Sequence, residues 1–234
     1  MAEVHEIADG IYRIASFNPQ SPVTYIQFLI KDERPLLFET GPRALFSDTL
    51  EAVKKILDPS TLRYVSWSHL ESDECGAAND FLKVAPQAEP LCGEVGAFLS
   101  VGDFFSRTVR GMKDSELLDL GRHRIRFLTT PHVPHSWDAI LLYDETTRTL
   151  FASDLFAHLG KLLPITEGDI VGPAMELYRF RPDYLPVGSH TEQVLRRLEA
   201  LAPEVLAAHH APAFHGDVAQ AFRDLRQALL SPAR

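Results

Sequence analysis

Three side chains able to hold a metal ion stand two residues apart in Ser-His-Leu-Glu-Ser-Asp-Glu, residues 68–74: His69, Glu71 and Asp73. They follow an apolar run, Leu62 to Trp67, that reads as a buried strand. They precede Cys75-Gly76-Ala77-Ala78, small residues able to open a helix. On such a strand-to-helix turn, i, i+2, i+4 spacing points all three to one side. One imidazole with two carboxylates is a mixed nitrogen and oxygen set. It suits iron or manganese at least as well as zinc, and suits a redox metal better than thiolates would.

Three more segments carry donors at strand ends. Pro131-His132-Val133-Pro134-His135-Ser136-Trp137-Asp138 places two histidines between prolines, on a stiff non-helical loop after a predicted strand Ile125-Thr130. His135 is preferred to His132 as the ligand. Phe151-Ala152-Ser153-Asp154 is an apolar strand ending in a carboxylate. Taken alone, Asp154 is equally a turn or helix cap. Beside the other clusters it reads as a ligand, and as a bridging one, because two metals need a shared anion. In Leu206-Ala207-Ala208-His209-His210-Ala211-Pro212 a strand again runs into histidine, with His210 preferred to His209. His158 is close enough to Asp154 to stand behind it. His5, His123, His190 and His215 read as structural or surface, and Cys75 as a small apolar helix residue rather than a redox thiol.

The elements that position these residues follow from periodicity. Residues 11–15, 23–30 and 35–38 read as an antiparallel meander. Ser47 to Leu57 has helical spacing, with Ser47 as N-cap and Pro59 as stop. Strand 62–67 leads to the His69 turn and Cys75 to Val84 reads as a helix. A second β-rich stretch has strands at Leu117–Leu120 and Arg124–Thr129. A hairpin Ala139–Tyr143/Thr149–Ala152 follows, then helix Thr191–Ala202, strand Glu204–Ala207 and helix Val218–Leu230. Two similar halves packed sheet on sheet, with helices outside, predict an α/β fold: a four-layer α/β/β/α sandwich over residues 1–234 as one domain. Ligands in open sheets of this kind bind where strand ends meet loops.

Composition narrows the function classes. The chain has 234 residues, 45% apolar and 24% charged, with net charge −9. Nucleic acid is an unexpected partner for so acidic a chain, since phosphate binding needs a basic face. The cluster Arg122-His123-Arg124 with Arg126 alternates with Ile125 and Phe127 and reads as the solvent face of a strand. No apolar run of about 18 residues exists, so no membrane span is expected. An acidic N-terminus and only two cysteines predict a cytoplasmic protein without a disulfide framework.

At its four donor segments, and from about residue 5 to 217, the chain resembles the metallo-β-lactamase superfamily. More narrowly, it resembles the oxygen-binding diiron branch related to the flavodiiron proteins. That branch carries His-x-Glu-x-Asp, then His, Asp and His, matched here by His69, Glu71, Asp73, His135, Asp154 and His210. His135-Ser-Trp-Asp138 matches its His-x-x-Asp spacing. The superfamily's zinc hydrolases carry His where this chain has Glu71, and carboxylates stabilise a trivalent metal better than imidazoles do. Two departures stand out. Glu39-Thr40-Gly41 replaces the superfamily's Asp-x-Gly, and Glu74 stands where flavodiiron relatives often have His. Glu74 is expected as a hydrogen-bond acceptor behind the metals, with His132 and Asp138 as further supporting candidates.

The resemblance implies two iron ions, with zinc or manganese as alternatives. His69, Glu71 and His135 would hold one, Asp73 and His210 the other, and Asp154 would bridge. It implies binding or reduction of dioxygen, or of nitric oxide. No Gly-rich flavin phosphate loop is visible, so no flavin is expected on this chain. Electrons would come from a separate flavoprotein or rubredoxin-like donor; otherwise the chain would act as an oxygen sensor with a signalling partner. A homodimer is expected, and Trp137, Phe156, Phe104 and Phe105 are candidate pocket walls. The competing reading is a zinc-dependent hydrolase of an ester, lactone or phosphodiester.

Overall fold

The computed structural model describes residues 1–231. The first sheet has seven strands in sequential order: β1 (Glu3–Ala8), β2 (Ile11–Asn18), β3 (Val23–Ile30), β4 (Leu36–Phe38), β5 (Tyr64–Ser66), β6 (Glu89–Gly93) and β7 (Arg110–Met112). Strands β1 to β4 form an antiparallel meander, and β4 to β7 run parallel. The second sheet contains β8 (Leu117–Asp119), β9 (Arg124–Thr129), β10 (Ile140–Asp144), β11 (Thr149–Ser153), β12 (Ile165–Thr166), β13 (Val205–Ala208) and β14 (Ala213–Phe214). Its order is β12-β14-β13-β11-β10-β9-β8.

Three apolar clusters show the layering. Ile11, Phe28 and Phe38 of the first sheet meet Phe127, Ile140 and Phe151 of the second in one buried layer. Phe151 packs edge-on against both Phe28 and Phe38, at centroid distances of 5.3 and 5.7 Å. The outer face of the first sheet is covered by α1 (Phe46–Lys54), the short α2 (Ser72–Cys75) and α3 (Ala78–Val84). The outer face of the second is covered by α4 (Val171–Phe180), α5 (Thr191–Ala200) and α6 (Val218–Leu230). The result is the α/β/β/α sandwich, because each sheet has two apolar faces to bury and each helix only one.

Several elements differ from the sequence reading. β1, β6, β7, the short β12 and β14, and α4 were not foreseen; most are edge or two- to three-residue strands with too few positions to show a period. The helix expected over 75–84 is broken at Gly76 and Ala77. The Thr40–Gly41 turn crosses there: Ala77 N–H donates to the Gly41 carbonyl at 3.0 Å, and Thr40 N–H to the Glu74 carbonyl at 2.6 Å. A Cβ on Gly76 would collide with the Ser72 carbonyl oxygen and press on the Arg43 backbone nitrogen, so the position needs a glycine. Ser47 is not the cap of α1: the helix begins at Phe46, and no side chain caps it. His123 does not share the solvent face of its neighbours. It is buried and bonds Asp144 through Nδ1 at 2.8 Å, while Arg126 on the outer face pairs with Glu145.

A candidate dimetal centre between the sheets

Every donor segment leaves a strand at the same edge of the sandwich. His69 follows β5, His135 the loop after β9, Asp154 β11, and His210 β13. The two sheets are stitched there by a backbone bond from Ile140 N–H to the Ser68 carbonyl at 2.9 Å. Ser153 N-terminal to Asp154 holds both sheets as well: its hydroxyl donates to Ser68 Oγ at 2.8 Å, and its carbonyl accepts from His209 N–H at 2.7 Å.

The structure brings His69, Glu71, Asp73, His135, Asp154 and His210 together, in two groups that share Asp154. In the first, His69 Nε2 and His135 Nε2 are 3.1 Å apart, and Glu71 Oε1 lies 3.6 and 3.1 Å from them. Asp154 Oδ2 completes the group at 3.7 and 3.4 Å. In the second, His210 Nε2 lies 3.3 Å from Asp73 Oδ2 and 3.5 Å from Asp154 Oδ1. Each carboxylate oxygen of Asp154 therefore serves a different group.

These groups fit a cation in each half. His210 Nδ1 bonds the Thr24 carbonyl at 2.8 Å, and a carbonyl can only accept. In the neutral ring Nε2 is then a bare lone pair, aimed at two carboxylates. His69 Nδ1 bonds Ser68 Oγ at 2.9 Å, which leaves its Nε2 facing the Nε2 of His135. The two Nε2 atoms and the carboxylates around them converge on one small space, where an ion could take the place of the ring-to-ring hydrogen bond. Asp154 Oδ1 is buried and has no hydrogen-bond partner among the described residues, as a ligand oxygen would not. The second ring nitrogen of His69 meets a hydroxyl and that of His210 a carbonyl, which fixes the metal-binding tautomer of His210, whereas His135 Nδ1 has no partner among the described residues.

The titration directions agree. Hydrogen bonds from His135 and His69 hold the Glu71 carboxyl down at about 2. Asp73 is also lowered: burial alone would raise it, but His210 and His209 outweigh that. Burial would lower His210, and the Asp73 and Asp154 carboxylates raise it instead. His135 is raised in the same way by Glu71 and Asp154 against burial.

The surrounding residues divide differently from expectation. His132 is a correction: it is exposed at the surface with φ +61°, its ring 5.6 Å from that of His190, and it does not join the cluster. Asp138 is buried but turned away, accepting from Ser136 Oγ and lying beside Gly96. Glu74 is fully buried, yet neither carboxylate oxygen accepts a hydrogen bond among the described residues, so it is not the acceptor expected. Glu39 is fully buried at φ +59° and accepts the Ser68 N–H at 3.2 and 3.3 Å, which fixes the backbone beside His69. Burial holds the Glu39 carboxyl well above its usual range. Cys75 donates to the Glu71 carbonyl at 3.0 Å and burial pushes its thiol up to about 12, which keeps it a packing residue.

A cavity of about 160 Å³ opens onto Glu71, Asp73, Asp154 and His210. Its apolar walls are Val23, Tyr25, Leu159, Leu177 and Tyr184. None of the four expected wall residues lines it. Phe105 stacks on Trp67 at 4.5 Å, Phe156 packs on Phe222 at 5.3 Å, and Phe104 and Trp137 are 66% and 49% exposed. Tyr184, 5.1 Å ring to ring from His135, was missed because it lies outside any recognisable strand or helix. His158 does line the cavity, tied by its backbone N–H to the His210 carbonyl at 2.9 Å.

Comparison with known proteins places this geometry. The chain is 35% identical over 206 residues to putative diflavin flavoprotein A 1 of Thermosynechococcus vestitus, covering 84% of this chain and 35% of that protein. It is 27% identical over 160 residues to flavo-diiron protein FprA2 of Clostridium acetobutylicum, covering 62% of this chain and 40% of that protein. The chain thus spans roughly a third of the length of the curated relatives it matches. Among solved structures, rubredoxin oxygen:oxidoreductase from Desulfovibrio gigas superposes with TM-score 0.85 at 19% identity, over 99% of this chain and 63% of that one. A fragment, residues 1–254, of putative diflavin flavoprotein A 5 from Nostoc sp. PCC 7120 gives 0.81 at 20% identity, over 97% and 96%. Residues 23–211, from the strand that holds His210 in place to the last donor segment, match the profile described as "ODP family beta lactamase", and the chain belongs to that family.

Proposed function

We propose that this chain is a non-haem diiron protein that binds and reduces dioxygen, with nitric oxide as the second gas it would accept. The observation that carries this reading is the division of Asp154, one buried carboxylate oxygen toward His69 and His135 and the other toward His210. That is the arrangement of a bridging anion between two ions, and its oxygen-rich surroundings suit iron. His69, His135 and Glu71 would hold one iron, Asp73 and His210 the other. When bound, such a pair would supply two electrons to a diatomic, and an external donor would have to return them. The names of the relatives, diflavin flavoprotein and flavo-diiron protein, support iron and flavin-linked electron supply for this chain as well.

The residues around the pair do the rest. Tyr25, Leu177 and Tyr184 give the cavity an apolar wall beside the buried Asp154 and His210, while Glu71 stays half exposed at its rim. The cavity volume of about 160 Å³ is below the range of about 300–1,000 Å³ usual for drug-sized organic ligands. It holds a diatomic easily and a lactone or phosphodiester poorly, which disfavours the hydrolase reading. We infer a separate flavoprotein or rubredoxin-like protein as electron donor and a homodimer as the assembly. No helix among the described residues is long and apolar enough to cross a membrane.

The test is metal analysis of anaerobically purified protein, followed by stopped-flow oxygen consumption with a chemical reductant. About two irons per chain and repeated turnover support an oxidoreductase. Two irons with one long-lived adduct support a sensor built on the same site. Zinc with esterase turnover overturns the proposal.

A further inference from the structure

The cavity over Asp154 and His210 has a neighbour. A second cavity, of about 250 Å³, is lined by His158, Leu159, Pro173, Glu176, Leu177 and Phe180. Three of these, His158, Leu159 and Leu177, also line the cavity that opens onto Glu71, Asp73, Asp154 and His210. Those three side chains therefore stand between the two spaces. The loop that carries two of them is anchored to the donor segments. Ala157 N–H donates to the Asp154 carbonyl at 3.1 Å, and His158 N–H to the His210 carbonyl at 2.9 Å. The His158 ring is held less firmly than its backbone, since Nδ1 is buried with no hydrogen-bond partner among the described residues. Leu177 is supplied by α4 and is buried. Leu159 and Phe180 are 50% and 75% exposed, so apolar surface continues from the partition to the outside of the molecule.

The inner cavity thus has two unlike sides. Glu71 stands at one, half exposed and charged, and a carboxylate keeps water around it. The other side is leucine, proline and phenylalanine, with Glu176 as its one carboxylate. A diatomic gas carries no charge and makes no strong hydrogen bond, so it gains by leaving water for apolar surface. Apolar cavities in proteins take up xenon for the same reason. We propose that the cavity between the 157–159 loop and α4 is an apolar antechamber that takes up the diatomic gas and passes it to the dimetal centre past Leu159, Leu177 and the His158 ring. This rests on the gas-reducing reading above.

Metal-free crystals pressurised with xenon test the cavity without iron and without any variant. Xenon between Leu159, Leu177 and Phe180 supports the proposal. Xenon in the inner cavity alone, or in neither, overturns it. Kinetics then test the route. Glu176 is exposed and lines the outer cavity only, so substitutions there leave the donor residues untouched. Glu176→Trp fills the antechamber, and Glu176→Leu keeps it open while removing its charge. Both are compared with wild type after circular dichroism has shown them folded and metal analysis has shown equal iron. Stopped-flow mixing of the reduced protein with oxygen over a range of concentrations separates entry from chemistry. Glu176→Trp is expected to lower the second-order rate constant roughly tenfold, the effect of about 1.4 kcal/mol on the barrier to entry, with the rate at saturating oxygen unchanged. Glu176→Leu should match or exceed wild type. A second-order rate constant that is unchanged in Glu176→Trp, or that falls only as far as the saturating rate does, overturns the antechamber and leaves the dimetal reading standing. Wild type that loads no iron, or that does not consume oxygen, overturns both, whatever xenon shows.

Discussion

Replacing Asp154 by asparagine separates a bridging role from a capping one, because the two roles predict opposite patterns. The side chain is 2% exposed and the substitution keeps its shape. In the metal-free protein the carboxylate stands near two buried acids, Glu39 and Glu74, which are raised first by burial and further by the Asp154 and Asp73 carboxylates. Removing the charge relieves repulsion with those acids but gives up attraction to His135 and His210, so the two effects offset and the metal-free variant should melt near the wild-type temperature. The carboxylate lies 3.4–3.7 Å from the donor nitrogens of both groups, so an ion held by either group would stand close to it. At an effective dielectric near 20, a unit charge at about 4 Å is worth about 4 kcal/mol, roughly a thousandfold in affinity for a monovalent partner and more for a divalent one. Calorimetric titration with ferrous iron under anaerobic conditions, alongside thermal melts with and without metal, reads both. A variant that loads two ions as tightly as wild type but melts markedly lower without metal would show Asp154 to be a structural cap.

The remaining expectations concern metal choice, the core and acid stability. Glu71→His replaces an oxygen donor held at low pKa by a neutral nitrogen, so metal recovered from cells should move from iron toward zinc and oxygen reactivity should fall; X-ray fluorescence and oxygen uptake check both, and unchanged iron content would contradict the weight placed on this carboxylate. Trp67 is fully buried and stacked on Phe105 at 4.5 Å, so Trp67→Ala should cost about 3–5 kcal/mol in denaturant unfolding, against little for the exposed Phe98→Ala. Asp144 is held below the usual carboxylate range: burial would raise it, but bonds from His123 and Thr147 prevail. A lowered folded pKa adds stability that is complete above the unfolded value of about 4 and is lost as pH falls through the folded one. Acid unfolding below about pH 4 should therefore flatten in Asp144→Asn, and an unaltered slope would show that this pair contributes nothing.

What was legible in the amino-acid order was local. Helix α6 shows its full apolar face and its Asp217 cap, whose side chain accepts from Gln220 N–H at 2.8 Å, within a few turns. The hairpin β10–β11 shows its strands and its turn within a dozen residues. Each donor segment likewise announces itself, since a metal-competent side chain directly after an apolar strand is visible without knowing what packs beside it. What tertiary structure alone decided is everything that depends on distance between remote segments. His69 and His135 are 66 residues apart in sequence, and His210 is positioned by the carbonyl of Thr24, 186 residues away. Those separations set that His135 rather than His132 turns inward, how Asp154 divides its oxygens, and which apolar residues wall the cavity. They also bury Glu74 and His209 beside each other with no hydrogen-bond partner among the described residues. Periodicity records which face of an element is apolar; only the closing of two sheets on each other determines which polar groups then share the space between them.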